Sequence, residues 1–128
     1  MDPIADTLIQ IKNAGAVGKE TVMVPHSKFR YAVLQALLKE GYIGSLEKKT
    51  RKQRKIIEVG LLYEEGKPRI GSVKRISKPS RRLYTGARNV WRVRQGFGDL
   101  FLSTPGGILT QKEARKQRIG GEVLFEIW

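Results

Sequence analysis

Ser103-Thr104-Pro105-Gly106-Gly107-Ile108-Leu109-Thr110-Gln111-Lys112-Glu113-Ala114-Arg115-Lys116-Gln117 runs from a small-residue loop into a capped helix, and Gly120-Gly121-Glu122 then leads into a terminal apolar strand. Thr110 and Glu113 have capping-box spacing, each side chain able to satisfy a backbone N–H at the start of a helix over Gln111 to Gln117. The loop before it, Ser103 to Gly107, has two hydroxyls and two glycines and no bulky side chain. Local chemistry gives it two readings. Pro-Gly and Gly-Gly pairs make ordinary turns, and a backbone this bare can also lie directly against a nucleic-acid surface.

Outward from this stretch, the C-terminal lobe reads as strands near Arg82 to Tyr84, Trp91 to Val93, Leu100 to Leu102 and Val123 to Trp128, paired antiparallel, with the short helix between the last two. The N-terminal half reads differently. Asp2 as cap and Pro3 at the first helical position open a helix carrying Ile4, Leu8 and Ile11 and ending near Gly15. Thr21 to Val24 is a strand stopped by Pro25, Ser27 caps a second helix closed at Gly41, and Tyr42 to Leu46 is a strand. Ile57, Val59, Leu61 and Tyr63 alternate as a strand with one buried face, and Glu64 to Pro68 turns the chain back into Ile70 to Ile76. The fold class is α+β in two lobes, an N-terminal α/β lobe over 1–77 and a mostly antiparallel β lobe over 78–128, joined at Lys78-Pro79-Ser80.

The net charge is +13, from 25 Lys+Arg against 12 Asp+Glu in 128 residues, and it predicts a polyanionic partner. From Gly66 to Gly98 there is no acidic residue, although Lys67, Arg69, Lys74, Arg75, Lys78, Arg81, Arg82, Arg88, Arg92 and Arg94 lie there. A second cluster, Lys48 to Lys55, reads as a basic hairpin arm, either bound to the polyanion or solvated at its tip. With no cysteine and one histidine, disulfides, thiolate sites and a catalytic or metal-bound His/Cys set are excluded, and no metal or other cofactor is expected. Gly18-Lys19 is followed by Glu20, so it is not a phosphate-binding loop, and Gly96-x-Gly98 stops at Phe101. No basic-then-apolar leader and no long apolar run appears, so a cytoplasmic protein away from membranes is expected. An enzyme is not expected. A nonspecific basic coat protein is the competing binding class, and it predicts indifference to RNA shape.

The order Leu102-Ser103-Thr104-Pro105-x-Gly107, Thr110-x-x-Glu113-Ala114-Arg115 and Gly120-Gly121-Glu122-Val123-Leu124 continues upstream through Asp2-Pro3-Ile4-Ala5-Asp6, Ile11-x-Asn13-Ala14, Val24-Pro25-x-Ser27-Lys28, Glu40-Gly41-Tyr42-Ile43 and Arg75-Ile76-Ser77-Lys78-Pro79. Over essentially the whole chain this resembles the bacterial form of the small-subunit ribosomal protein eight family. The resemblance implies the same two-lobe division. It further implies a structural constituent of the small ribosomal subunit that binds the central domain of small-subunit ribosomal RNA early, beside neighbouring ribosomal proteins. Feedback binding to its own messenger RNA, a monomeric state off the ribosome and a place on cytoplasmic ribosomes complete the expectation.

The resemblance makes the loop with Ser103, Thr104, Gly106 and Gly107 the main RNA contact, suited to the 2′-hydroxyls and base edges of irregular RNA. Glu122 either orients that loop, accepts a hydrogen bond from a base amino group, or is a plain surface acid. Arg82 and Tyr84 pair a phosphate-seeking guanidinium with a ring that stacks on a base or else belongs to the core. Lys28 and Arg30 lie at the start of the second helix, where its dipole adds to attraction for phosphate. In the family this region and the first helix, here Lys12 and Asn13, lie near RNA. Trp91 and Trp128 are assigned to packing. Three positions depart from the family pattern: Pro105 where serine is common, Ser80 where glycine usually follows Lys-Pro, and Asp99 in a strand usually apolar there.

Overall fold

In the N-terminal unit, Pro3 opens α1 (Pro3–Ala16), and Ile4, Leu8 and Ile11 are buried at helical spacing. The computed structural model describes residues 2–90 and 98–128, and the chain divides into two units, 3–71 and residue 2 with 72–128. Ser27 caps α2 (Lys28–Lys39), its hydroxyl accepting from the Arg30 amide at 3.1 Å. Gly41 at φ 80° then ends the helix without the Cβ penalty of the left-handed region. Beneath lie β1 (Thr21–Pro25), β2 (Ile43–Arg51) and β3 (Arg54–Leu61), antiparallel in the order β1-β3-β2. Ile57 and Val59 alternate inward along β3 and are fully buried, each worth about 1.5–3 kcal/mol of apolar transfer. The Glu65-Gly66 turn, both residues at positive φ, joins the short strands β4 (Tyr63–Glu64) and β5 (Lys67–Pro68).

The second unit is a sheet built on its last strand. β10 (Gly121–Ile127) pairs antiparallel with β8 (Asp99–Thr104) on one side. On the other side it pairs with β6 (Val73–Arg75) at one end and β7 (Tyr84–Thr85) at the other. β9 (Gly107–Thr110) extends the sheet beyond β8, and α3 (Gln111–Gln117) follows directly. Leu100, Leu102, Val123, Val90 and Ala114 form the core on one face, with Trp128 packed against it. Phe101 and Phe125 stack at 5.0 Å, both fully buried. Arg75 is held inside this unit, its Nε donating to Asp2 at 2.9 Å and its Nη1 to the Leu124 carbonyl.

Several elements differ from the sequence reading. Ile70 to Ile76 is not one strand continuing the N-terminal sheet, because only Val73–Arg75 is extended and its partners are Phe125–Ile127. The units accordingly part between Gly71 and Ser72, upstream of a joint at Lys78, since β6 is hydrogen-bonded into the C-terminal sheet. Lys78 and Arg81 instead exchange both backbone hydrogen bonds at 2.9 Å around Pro79-Ser80, a tight turn within the second unit. Arg82 lies before the strand, which begins at Tyr84. β9 is a strand that the sequence pattern does not mark, and the expected strand at Trp91 to Val93 lies outside the described residues.

Candidate nucleic-acid interface

Tyr84, Glu122 and Ser103 stand directly opposite one another across β7, β10 and β8, with Ile108 of β9 completing the row. Residues opposed in an antiparallel ladder share a face, with Cβ atoms about 4.5–5.5 Å apart. Three expected site residues from three distant parts of the chain are thereby brought together. Tyr84 is 68% exposed, which overturns the reading of it as a core residue and leaves its ring and hydroxyl open to a partner.

The loop beside this row is a β-hairpin tip. Thr104 pairs with Gly107 across Pro105-Gly106, and Gly107 takes φ 108°. Proline fits the first central position of the turn, the glycine at its exit takes a positive φ without a Cβ penalty, and the strands stay in continuous register behind it. The Thr104 hydroxyl donates to the Gly107 carbonyl at 2.8 Å and accepts from the Gly106 amide at 3.1 Å. Thr104 thus shapes the tip from within and keeps one lone pair for a partner. Gly106 lies against α3: a Cβ there would meet Gln117 Oε1 at 3.1 Å and Ile119 Cδ1 at 3.2 Å. The helix supports the tip, and its start is fixed by the capping box, Glu113 N to Thr110 Oγ1 at 3.3 Å and Thr110 N to Glu113 Oε1 at 3.1 Å.

The Gly120-Gly121 pair has a packing cause. A Cβ on Gly120 would stand 2.2 Å from the Thr85 carbonyl oxygen, and one on Gly121 2.2 Å from that of Ser103. Only glycine lets β10 enter between β7 and β8 here.

Two buried side chains that sequence reasoning did not single out hold the row in place. Ser77, fully buried, accepts from the Leu83 amide at 2.8 Å and donates to the Leu83 carbonyl at 3.2 Å, fixing the backbone one residue before Tyr84. Gln111 accepts from the Leu100 amide at 2.8 Å and donates to Asp99 Oδ1 at 3.1 Å. Asp99 is therefore accommodated in its strand by a hydrogen bond from α3. The departure at Ser80 is equally mild, since Ser80 does not adopt positive φ. Arg82 is exposed beyond the Lys78–Arg81 turn.

The N-terminal candidates fare unequally. Lys28, Lys12 and Asn13 are exposed on their helices. Arg30 is partly committed within the unit: its Nε donates to the buried Thr7 hydroxyl at 2.8 Å and its Nη1 to the Pro25 carbonyl at 3.1 Å, tying α2 to α1 and β1. Thr7 in turn donates to the Pro3 carbonyl at 2.8 Å. No sequence signal marked this pair, because the partners are far apart in the chain.

The Lys48–Lys55 cluster forms the tip of the β2–β3 hairpin, paired as far as Arg51 and Arg54, with Lys52 at φ 51° and Gln53 at φ 64° making the turn. Its charges are partly managed by neighbours. Lys48 Nζ sits 4.4 Å from the Tyr31 ring centroid, and Lys49 Nζ donates to Glu58 Oε2 at 2.5 Å across the strands. That hydrogen bond holds the Lys49 ammonium above the ordinary lysine value. Among the described residues, no group of three His, Cys, Asp or Glu side chains is placed to hold a metal ion, and no helix is long and apolar enough to cross a membrane.

Comparison with known proteins places this chain in the class of ribosomal proteins of the small subunit. More particularly, the chain belongs to the family described as ribosomal protein S8, whose model matches residues 2–128. The small ribosomal subunit protein uS8 of Mycoplasmopsis agalactiae is 43% identical over 127 residues, covering 99% of this chain and 97% of its own. Its counterpart in Ruegeria sp. (strain TM1040) is 44% identical, covering 99% and 98%. That of Persephonella marina is 46% identical, again covering 99% and 98%.

Proposed function

We propose that this protein is a structural constituent of the small ribosomal subunit that binds the central domain of its ribosomal RNA directly and early, fixing an irregular helix junction for the proteins that follow. The observation carrying this reading is the Tyr84–Glu122–Ser103 row beside the Thr104–Gly107 tip. An exposed ring, a carboxylate acceptor, a hydroxyl and bare glycine backbone form one surface, suited to the wide minor groove and base edges of irregular RNA. Glu122 serves there as an acceptor for a base amino group, with phosphate left to cations. Arg82, Lys28, Lys12 and the β2–β3 tip supply the sequence-independent attraction. A matching fold in its own messenger RNA binds the same surface, which makes feedback repression a consequence of one recognition site.

Binding is measured for the purified protein on a central-domain ribosomal RNA fragment and on an equally long scrambled duplex, at several salt concentrations. Preference for the fragment by about 10³ or more at physiological salt, eroded in Ser103→Ala, supports the reading. Equal binding to both RNAs with one steep salt slope would leave a general polyanion binder.

A further inference from the structure

Past the end of the Tyr84–Glu122 ladder, Ala87, Arg88, Arg115 and Arg118 line an open cleft of about 450 Å³. No carboxylate is among the described lining residues. Arg88 lies in the one-turn 3₁₀ helix Ala87–Asn89, against which α3 packs. Arg115 stands in the last turn of α3 and Arg118 is the residue that ends it, and both line the cleft. Arg115 is oriented rather than loose, since its Nη2 donates to the Val90 carbonyl at 2.7 Å, leaving other donors of the planar fork for a ligand.

Arg118 has the backbone that glycine favours. As the C-cap of α3 it sits at φ 57°, ψ 43°, the left-handed region that an L residue adopts at a cost. The local fold thus keeps a long cation where glycine is easier. Helix-dipole stabilisation is one structural benefit of a cation there. It does not account for Arg88, which converges on the same space from another element.

We propose that Arg88, Arg115 and Arg118 form a phosphate-binding cleft for the RNA backbone. It grips strand phosphates adjacent to the junction contacted by Ser103, Glu122 and Tyr84, and it works independently of base sequence. The proposal rests on the RNA-binding reading above. Its ligand is the phosphodiester because the guanidinium fork matches a tetrahedral anion in two-point contact and because the segments that carry the cleft flank the Thr85–Gly121 end of the ladder assigned to RNA.

The test compares Arg118→Gly, Arg88→Gln and their double variant with the unaltered protein, on both the ribosomal fragment and the scrambled duplex. Each lost phosphate contact should lower the slope of log K against log salt by about 0.7–0.9 and weaken both RNAs alike, by about fivefold near physiological salt. Arg118→Gly should at the same time keep or raise the melting temperature, because glycine relieves the left-handed cap; a merely structural arginine would not separate stability from affinity in this way. Unchanged salt slopes in the double variant overturn the cleft. Loss of discrimination between the two RNAs in the unaltered protein would instead sink the site-specific reading, and the slope change would still report the cleft.

Discussion

A Cβ placed on Gly121 would stand 2.2 Å from the carbonyl oxygen of Ser103, the residue that leads into the hairpin tip. The glycine is thereby tied to the shape of the loop, although its own backbone is ordinary strand. Gly121→Ala should force β10 and β8 apart and cost about 1–3 kcal/mol, the range for overpacking. It should also weaken binding to the ribosomal fragment more than to a scrambled duplex. Gly86→Ala is the control, since nothing lies within 4 Å of its added Cβ, and it should be near neutral. Urea unfolding with paired binding curves checks this; an alanine at 121 that leaves stability unchanged would contradict the close approach.

Ser77 holds Leu83 by both its amide and its carbonyl from a fully buried position. Ser77→Ala orphans the Leu83 amide, while the Leu83 carbonyl keeps the Val123 amide at 2.8 Å, and should cost about 1–3 kcal/mol. Because Tyr84 follows immediately, its ring should lose its fixed presentation, so affinity for the fragment should fall while the salt slope stays constant. A slope that fell with affinity would mean Ser77 acts on phosphate contacts rather than on Tyr84.

Local signals made much of this fold legible. Pro3, Ser27 and the Thr110–Glu113 box mark helix starts because a cap is satisfied within three residues, and the alternation of Ile57 and Val59 fixes the buried face of β3. What was not legible depends on distant partners. Val73–Arg75 looks like an extension of the N-terminal sheet until β10 claims it, and β9 is too short, after a turn, to announce itself. The same division runs through the candidate site. Ser103 and Glu122 were readable as residue types in a pattern, but the ladder register alone puts Tyr84 beside them. Sequence alone sets Thr104 and Arg30 against a partner, and the hydrogen bonds they make within their own units show how much of each side chain is already in use.

Lys49 donates to Glu58 and keeps its proton to higher pH folded than unfolded. Its contribution to stability is therefore fully present below the unfolded lysine value of 10.5 and is lost only as pH rises through the raised folded value. Across neutral pH it should be constant. Glu58→Gln removes the main cause of the shift, so the Lys49 titration followed by NMR should move down toward the ordinary value. The ammonium, left with only the longer 4.0 Å contact to Glu47, should then strengthen RNA binding and steepen its salt dependence, since one carboxylate no longer competes with phosphate. Weaker binding in Glu58→Gln would show that the pair holds the arm in its binding geometry.

Gln53 occupies φ 64° at the second central position of the β2–β3 turn, where glycine or asparagine is the favoured residue. Gln53→Gly should stabilise the hairpin by about 0.5–1 kcal/mol, the left-handed strain relieved exceeding the added freedom of the unfolded chain. Every cation of the arm is retained, so the number of phosphate contacts should not change. If the arm meets RNA as the paired hairpin, a better turn lowers the ordering cost of binding, and affinity should rise with the salt slope unaltered. If the strands must open to follow the RNA, the same substitution should stabilise the free protein yet weaken its complex. Thermal unfolding and salt-dependent binding on one variant distinguish the two, because turn strain and phosphate number are independent quantities.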